Sequence, residues 1–393
     1  MTTIVMTGGG SGGHITPILA VAAELKKLQP DCNIVYIGQK GDGLGDVPAQ
    51  SSYIDAVYTV RAGKFRRYHQ LSLRRYWRVK LVSLILNTRD MVWVVVGTIQ
   101  SYWLLKRLHP ASVFVKGGFV GVPVGLAAAA CHIPFVTHDS DAVPGLANRI
   151  VARWARVHAV ALPKDVYHYP AERTVTVGVP VQSEFEEVTP ARAQHYRKEI
   201  GLHDDERLLF IIGGGLGARP VNDAALQCIP GLLEQFSNLV VVHAAGRANA
   251  EKVAARYDEL LPKTQRGRIV VKDYLTDVYR YSGAAEVVIT RAGATNLAEF
   301  AVQHKACVVI PHPNLVGGHQ VKNARYLAEQ GAIVVVEEAR LAAGNELGER
   351  VAELLRDEAR RHELEAAFGA FAKPDASHHL AMILLEQSST RNT

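Results

Sequence analysis

A chain of 393 residues is longer than one ordinary hydrophobic core supports and implies two domains. Hydrophobic residues make up 48% and charged residues 21%, which excludes a disordered chain; four scattered cysteines with no CxxC pair exclude a disulfide framework or a zinc knuckle. The net charge of +6 is local: nine of the 44 Lys and Arg lie in residues 56–89, where no acid occurs, and the other 35 are outnumbered by 38 acids.

The chain opens with IVMTGGGSGGHITPILAVAAEL (4–25). Ile4, Val5 and Met6 read as a short buried strand, and Ile18, Leu19, Ala22 and Leu25 have helical spacing, with Pro17 tolerated in a first turn. Five glycines between them gather free N–H groups and the positive end of a helix dipole, which favours an anion, usually phosphate. A tight turn that holds nothing is the alternative. No basic stretch precedes these glycines, so no signal peptide is expected.

Strand-like runs follow at 33–37, 91–96, 112–116, 133–137, 157–162 and 174–177. In the basic segment, Phe65, Tyr68, Tyr76, Trp77, Leu81 and Ile85 interleave with Arg61, Lys64, Arg66, Arg67, Arg74, Arg75, Arg78 and Lys80. That mixture suits an anionic membrane surface, where each charge is worth about 1 kcal/mol; nucleic acid or plain solvent are the alternatives. The apolar stretch 81–105 is interrupted at Asn87, Thr88, Arg89 and Asp90, so no transmembrane helix is expected.

The turn-rich stretch 177–194 marks a boundary, after which RLLFIIGGGLGARPVNDAAL (207–226) restarts the strand, glycine loop and helix device. Further apolar runs at 239–246, 268–274, 286–301, 306–311 and 332–338 lead to a final helical stretch, 350–385. Alternation of this kind predicts an α/β chain with doubly wound parallel sheets. The expected domains are 1–182 and 183–365, with 366–393 a last helix free to return to the first. Loops 8–13, 117–118 and 213–217 would line a cleft at the carboxyl ends of both sheets. The G-x-G-x-x-G match at Gly8, Gly10 and Gly13 is loose, and NIVYIGQKGDG ends its strand in Gly38 where a dinucleotide ribose needs an acid. A nicotinamide enzyme is disfavoured, and the P-loop pattern is absent.

Six blocks occur in order: GGGSGGHITPILAVAAEL, GGFVGVPVGLAA (117–128), VPGLANRIVARWA (143–155), GGGLGAR (213–219), TRAGATNLAEF (290–300) and HQVKNARYLAEQGA (319–332). Together they resemble the MurG-type UDP-N-acetylglucosaminyltransferases of glycosyltransferase family 28. The resemblance implies a GT-B fold, two Rossmann-like domains around a central cleft, and a peripheral enzyme on the cytoplasmic face of the cell membrane. It implies inverting transfer of GlcNAc from UDP-GlcNAc to lipid I, with no cofactor, no metal and no nucleic-acid partner. Positioning and electrostatics would supply most of the acceleration.

The resemblance also assigns roles. His14 and Asp139 become the catalytic candidates, and Gly12, Gly13, Gly117 and Gly118 face the acceptor. Gly293, Ala294 and Thr295, with Asn296, suit the donor diphosphate, Glu299 the ribose, Leu275 the uracil, and His319 and Gln320 the donor sugar. Arg291 either contacts the nucleotide or braces its loop. Arg66, Arg67, Arg74, Arg75 and Trp77 belong to the membrane-docking segment.

The chain departs from the family pattern at several of these places. His138-Asp139-Ser140-Asp141 stands where H-E-Q-N is usual, so Asp141, a donor-side candidate, offers a carboxylate in place of an amide. Gly215 and Leu216 replace a hydroxyl and an amide in the glycine loop 213–217, and Gln182 replaces an arginine, for which Arg219 is the candidate substitute. A related transferase with another UDP-sugar or lipid acceptor, or a sugar-nucleotide-binding protein without turnover, are the competing readings.

Overall fold

The computed structural model describes residues 2–10, 12–42, 46–63, 73–215, 217–341 and 345–389, with side chains described except at 46, 73–86 and 316. The chain divides into two compact units, residues 1–182 with 375–393, and 183–374.

The first unit holds seven strands: β1 (Thr3–Thr7), β2 (Asn33–Gln39), β3 (Ala56–Val60), β4 (Ser112–Val115), β5 (Phe135–Asp139), β6 (Val157–Val160) and β7 (Thr174–Thr176). They pair in parallel in the order β3-β2-β1-β4-β5-β6-β7. Both faces of the sheet are covered, so the central strands are apolar throughout. Ile4 and Met6 pack with Ile18, Val21 and Leu25 of the helix Gly12–Leu28, while Val5 faces the other way with Val35, Val113 and Val124. Leu380 and Leu384 of the helix Ala376–Ser389 join the Ile4 side, fully buried, each stabilising by roughly 1.5–3 kcal/mol. Ser112 Oγ donates to Leu384 O at 3.1 Å and Ser377 Oγ to Val181 O at 3.0 Å. The end of the chain therefore completes the unit in which the chain begins.

Two expectations fail here. Residues 91–96 are not a strand but part of a 36-residue helix, Leu73–Leu108, which runs through Asn87–Asp90 without a break. Its buried positions include Asp90, Gly97, Ser101 and Leu105, a helical spacing built mainly from small or polar residues, so no apolar period marks it. The valines that imitate a strand lie largely outside that stripe. Strand β3, an edge strand with Tyr58 and Thr59 exposed, was not foreseen. No described helix is long and apolar enough to cross a membrane.

The second unit holds β8 (Arg207–Ile212), β9 (Leu239–Ala244), β10 (Ile269–Lys272), β11 (Val287–Thr290), β12 (Cys307–Val309) and β13 (Val334–Val335), parallel in the order β10-β9-β8-β11-β12-β13. Leu209 and Ile211 pack with Ile229, Leu232 and Leu355; Leu208 and Phe210 pack on the opposite face with Phe300 and Phe368. Residues 366–374 stay with this unit, and the return to the first starts at Asp375. In each sheet the strand order reverses once, between β1 and β4 and between β8 and β11. Loops leaving the carboxyl ends of such a pair diverge and leave a crevice for a ligand.

Candidate active site

At the first reversal, the loop after β1 meets the loop after β4. Lys116 extends the ladder, its N–H donating to Thr7 O at 2.9 Å. Gly118 has φ +75°, and a Cβ there would overlap the Gly9 carbonyl, so the two loops touch where only glycine fits. Tyr36 Oη donates to Gly8 O and Gly10 N–H donates to Asp42 Oδ2 at 2.8 Å, which fix the first loop from the β2 side.

Gly12 and Gly13 open the helix Gly12–Leu28 and His14 follows in its first turn. His14 Nδ1 lies 3.0 Å from Gly9 O. A carbonyl only accepts, so Nδ1 carries the hydrogen and the neutral ring keeps its lone pair on Nε2. A Cβ on Gly117 would stand 3.7 Å from that Nε2, which places the imidazole against the second glycine loop. Burial first, and the Lys116 charge second, push the His14 pKa down to about 4, against opposing pulls from Asp141, the Gly9 carbonyl and Asp42. The ring is a neutral proton acceptor at physiological pH. His14, Gly117 and Gly118 are thus brought together.

Asp139 is tied into its own loop. It is 4% exposed, and both its oxygens are engaged: Oδ1 accepts from Gly145 N–H at 2.9 Å and Asn148 Nδ2 at 3.0 Å, Oδ2 from Tyr169 Oη at 2.9 Å. Burial nonetheless raises its pKa. Tyr169 is held by stacking on His158, with ring centroids 4.2 Å apart. Asp139 organises the loop 139–148 through these three donors. Asp141 lies in the same unit, close enough for its charge to act on His14 and Lys116.

Lys116, Asn148 and Tyr169 were missed in the sequence. A lysine closing the apolar run SVFVK directly before two glycines was the available signal for the first. The others become legible only once β5 and β6 pair.

In the second unit Gly293 caps the helix Ala294–Val302 with no side chain of its own, and no acid occupies the first turn. The N–H groups of Ala294, Thr295 and Asn296 therefore stand at a bare, positive helix end. Asn296 Nδ2 lies 3.5 Å from Thr290 Oγ1. Glu299, on the same helix, is 8% exposed, and its carboxyl accepts no hydrogen bond among the described residues. Burial alone raises its pKa to about 8.

Arg291 braces its loop: Nη1 lies 2.6 Å from Glu338 Oε2 and donates to Ile310 O at 3.1 Å, and the residue is 5% exposed. Gly317 and Gly318, with φ +79° and +63°, turn the chain so that His319 and Gln320 start the helix His319–Glu329. Gln320 Oε1 accepts from His312 N–H at 2.9 Å. Leu275 is half-buried against the Phe210 side of the core. Gly215 is exposed in the loop after β8, and Arg219, also exposed, starts the helix Arg219–Gln235 with Nε 3.5 Å from Asp223 Oδ2.

Arg66 and Arg67 lie outside the described residues, and Arg74, Arg75 and Trp77 lie on the first turns of the helix Leu73–Leu108, where side chains are not described. Farther along that helix Met91, Val95, Ile99 and Trp103 are exposed four residues apart, an apolar stripe on one side.

Residues 4–160 match the glycosyltransferase family 28 N-terminal domain and residues 208–380 its C-terminal domain. The chain belongs to glycosyltransferase family 28. A family member from Bacillus cereus, named UDP-N-acetylglucosamine–N-acetylmuramyl-(pentapeptide) pyrophosphoryl-undecaprenol N-acetylglucosamine transferase 1, is 30% identical over 383 residues, covering 97% of this chain and 98% of its own. A Moorella thermoacetica member with the same transferase name is 30% identical over 385 residues, covering 98% of both. The crystal structure of Acinetobacter baumannii MurG, at 23% identity, superposes with a TM-score of 0.70 over 98% of this chain and 100% of that one, which shows the GT-B fold.

Proposed function

We propose that this family 28 chain is an inverting, UDP-GlcNAc-dependent hexosyltransferase that adds GlcNAc to the MurNAc 4-hydroxyl of lipid I, making lipid II for peptidoglycan. One observation carries the reading: relatives named for that transfer align with 97% of the chain, through both strand-order reversals.

In this reading the first unit takes the acceptor. The 4-hydroxyl attacks C1 of GlcNAc opposite the departing UDP, and its proton passes to His14 Nε2. The C1–O bond breaks, its electrons stay on the diphosphate, and the anomeric centre inverts. The second unit takes the donor. The bare helix end at Gly293–Asn296 faces the diphosphate, where charge grows as the bond breaks. Glu299 accepts from the ribose hydroxyls, Leu275 packs on uracil, and His319 and Gln320 contact the sugar. Asp141, Gly215 and Arg219 stay outer candidates for the donor.

The stripe Met91–Trp103 and the basic segment that includes Arg66, Arg67, Arg74, Arg75 and Trp77 would dock the enzyme on the anionic cytoplasmic face of the membrane, where a polyprenyl acceptor resides. Incubation with UDP-GlcNAc and a short-chain lipid I analogue tests the reaction. A product carrying one added GlcNAc in β linkage is expected; an α-linked product or none contradicts the reading.

A further inference from the structure

Lys116 is the feature that the roles above leave unexplained. It directly follows β4 at the first strand-order reversal and is 3% exposed. Among the described residues its Nζ makes no ion pair within 4 Å and donates no hydrogen bond. It is also not among the sealed polar atoms that lack a partner, so the part of the residue solvent reaches includes the ammonium. Charges that act on it come from Asp139 and Asp141. Asp139 is already engaged by three donors, and Asp141 lies beyond ion-pair distance of Lys116. Burial lowers the Lys116 pKa to about 8, so the cation is held at a cost that the protein alone does not offset.

The loop and helix start beside the lysine stem suit an anion. The first turn of the 17-residue helix Gly12–Leu28 carries no acid and presents its N–H groups beside the loop that Lys116 adjoins. A Cβ on Gly8 would stand 3.3 Å from Lys116 Cβ, so the lysine stem lies against the first glycine loop. His14, within reach of the same charge, is neutral and does not compete for the anion.

We propose that Lys116 is an acceptor-binding residue whose ammonium pairs with the diphosphate of the lipid acceptor, between the first and second glycine loops. The inference rests on the reading that the first unit takes a prenyl-diphosphate acceptor. It adds a cation that orients the acceptor so that its sugar hydroxyl reaches His14.

The test uses the full chain with Lys116→Met and Lys116→Arg. Binding is measured calorimetrically for a short-chain prenyl diphosphate, the matching prenol and UDP, alongside thermal unfolding. Lys116→Met should weaken prenyl diphosphate binding at least tenfold, leave prenol and UDP binding unchanged, and raise the unfolding temperature, because a buried unpaired charge has been removed. Lys116→Arg should retain part of the affinity. Equal affinity of wild type and Lys116→Met for the diphosphate would overturn the proposal, as would a loss confined to UDP, which would place the lysine on the donor phosphates. A fall in unfolding temperature with loss of every ligand, in both variants, would also overturn it and mark a purely structural lysine. Because the probe needs no turnover, wild-type protein that binds prenyl diphosphate yet transfers no sugar would refute the function and leave the lysine assignment standing.

Discussion

Replacing Glu299 by Gln should stabilise the protein in a pH-dependent way. Burial raises this carboxyl from its ordinary value of 4.5 to about 8, and no hydrogen bond among the described residues compensates. Between those two values the folded chain keeps a proton that the unfolded chain has released, so stability falls as pH rises from about 4.5 to 8 and levels off above. At about 1.4 kcal/mol per unit the ceiling is about 5 kcal/mol, and water reaching the site reduces the expected loss to about 2–4 kcal/mol. Gln has nearly the same shape and no charge, so the gap between variant and wild type should be near zero at about pH 4.5 and widest near pH 8. Urea unfolding across that range, followed by circular dichroism, reads the gap directly. Ribose hydroxyls favour the ionised carboxylate, so UDP binding should release up to one proton near pH 7, visible as buffer-dependent calorimetric heat. Parallel stability profiles for the two proteins would refute the reasoning, because they would mean that Glu299 is already ionised in the folded chain.

Glu299→Ala should weaken UDP binding by about 1–3 kcal/mol with little effect on acceptor binding; unchanged UDP affinity would remove Glu299 from the site. Gly118→Ala forces a Cβ into the Gly9 carbonyl at positive φ and should cost about 2–4 kcal/mol in thermal unfolding, with acceptor turnover lost first. Asp139→Ala leaves the Gly145 N–H, the Asn148 amide and the Tyr169 hydroxyl without their acceptor, at a cost of about 2–4 kcal/mol in urea unfolding. Charge reversal at Arg74 and Arg75, or serines at Met91, Val95, Ile99 and Trp103, should reduce binding to anionic vesicles while UDP affinity holds. Vesicle binding that survives both sets would assign the stripe to another partner.

The doubly wound sheets were legible because their central strands are buried on both faces. Runs such as LLFII and LVVV stand between glycines and helical spacing, and the valine run at 91–96 imitates them. The helix Leu73–Leu108 was not legible, since it buries Asp90, Gly97 and Ser101 and exposes Met91, Val92 and Val95, inverting the usual pattern. Within the site, His14 and the glycines that flank it stood out because backbone freedom before a helix has few uses. The surroundings of Asp139 were not legible because a carboxylate in a motif gives no sign of the donors around it, and its partner Tyr169 comes from a separate stretch of chain. The contacts of Arg291 with Glu338 and Ile310 were hidden for the same reason. Lys116 was overlooked because one lysine after an apolar strand ordinarily reaches water, whereas this one is buried by the meeting of two loops.

The central claim is the transfer itself, and the most direct measurement is UDP release from purified protein supplied with UDP-GlcNAc, with and without a short-chain lipid I analogue, in EDTA. The account predicts release that depends on the acceptor and persists with the chelator. UDP-GlcNAc that binds but is never turned over with this acceptor would contradict it.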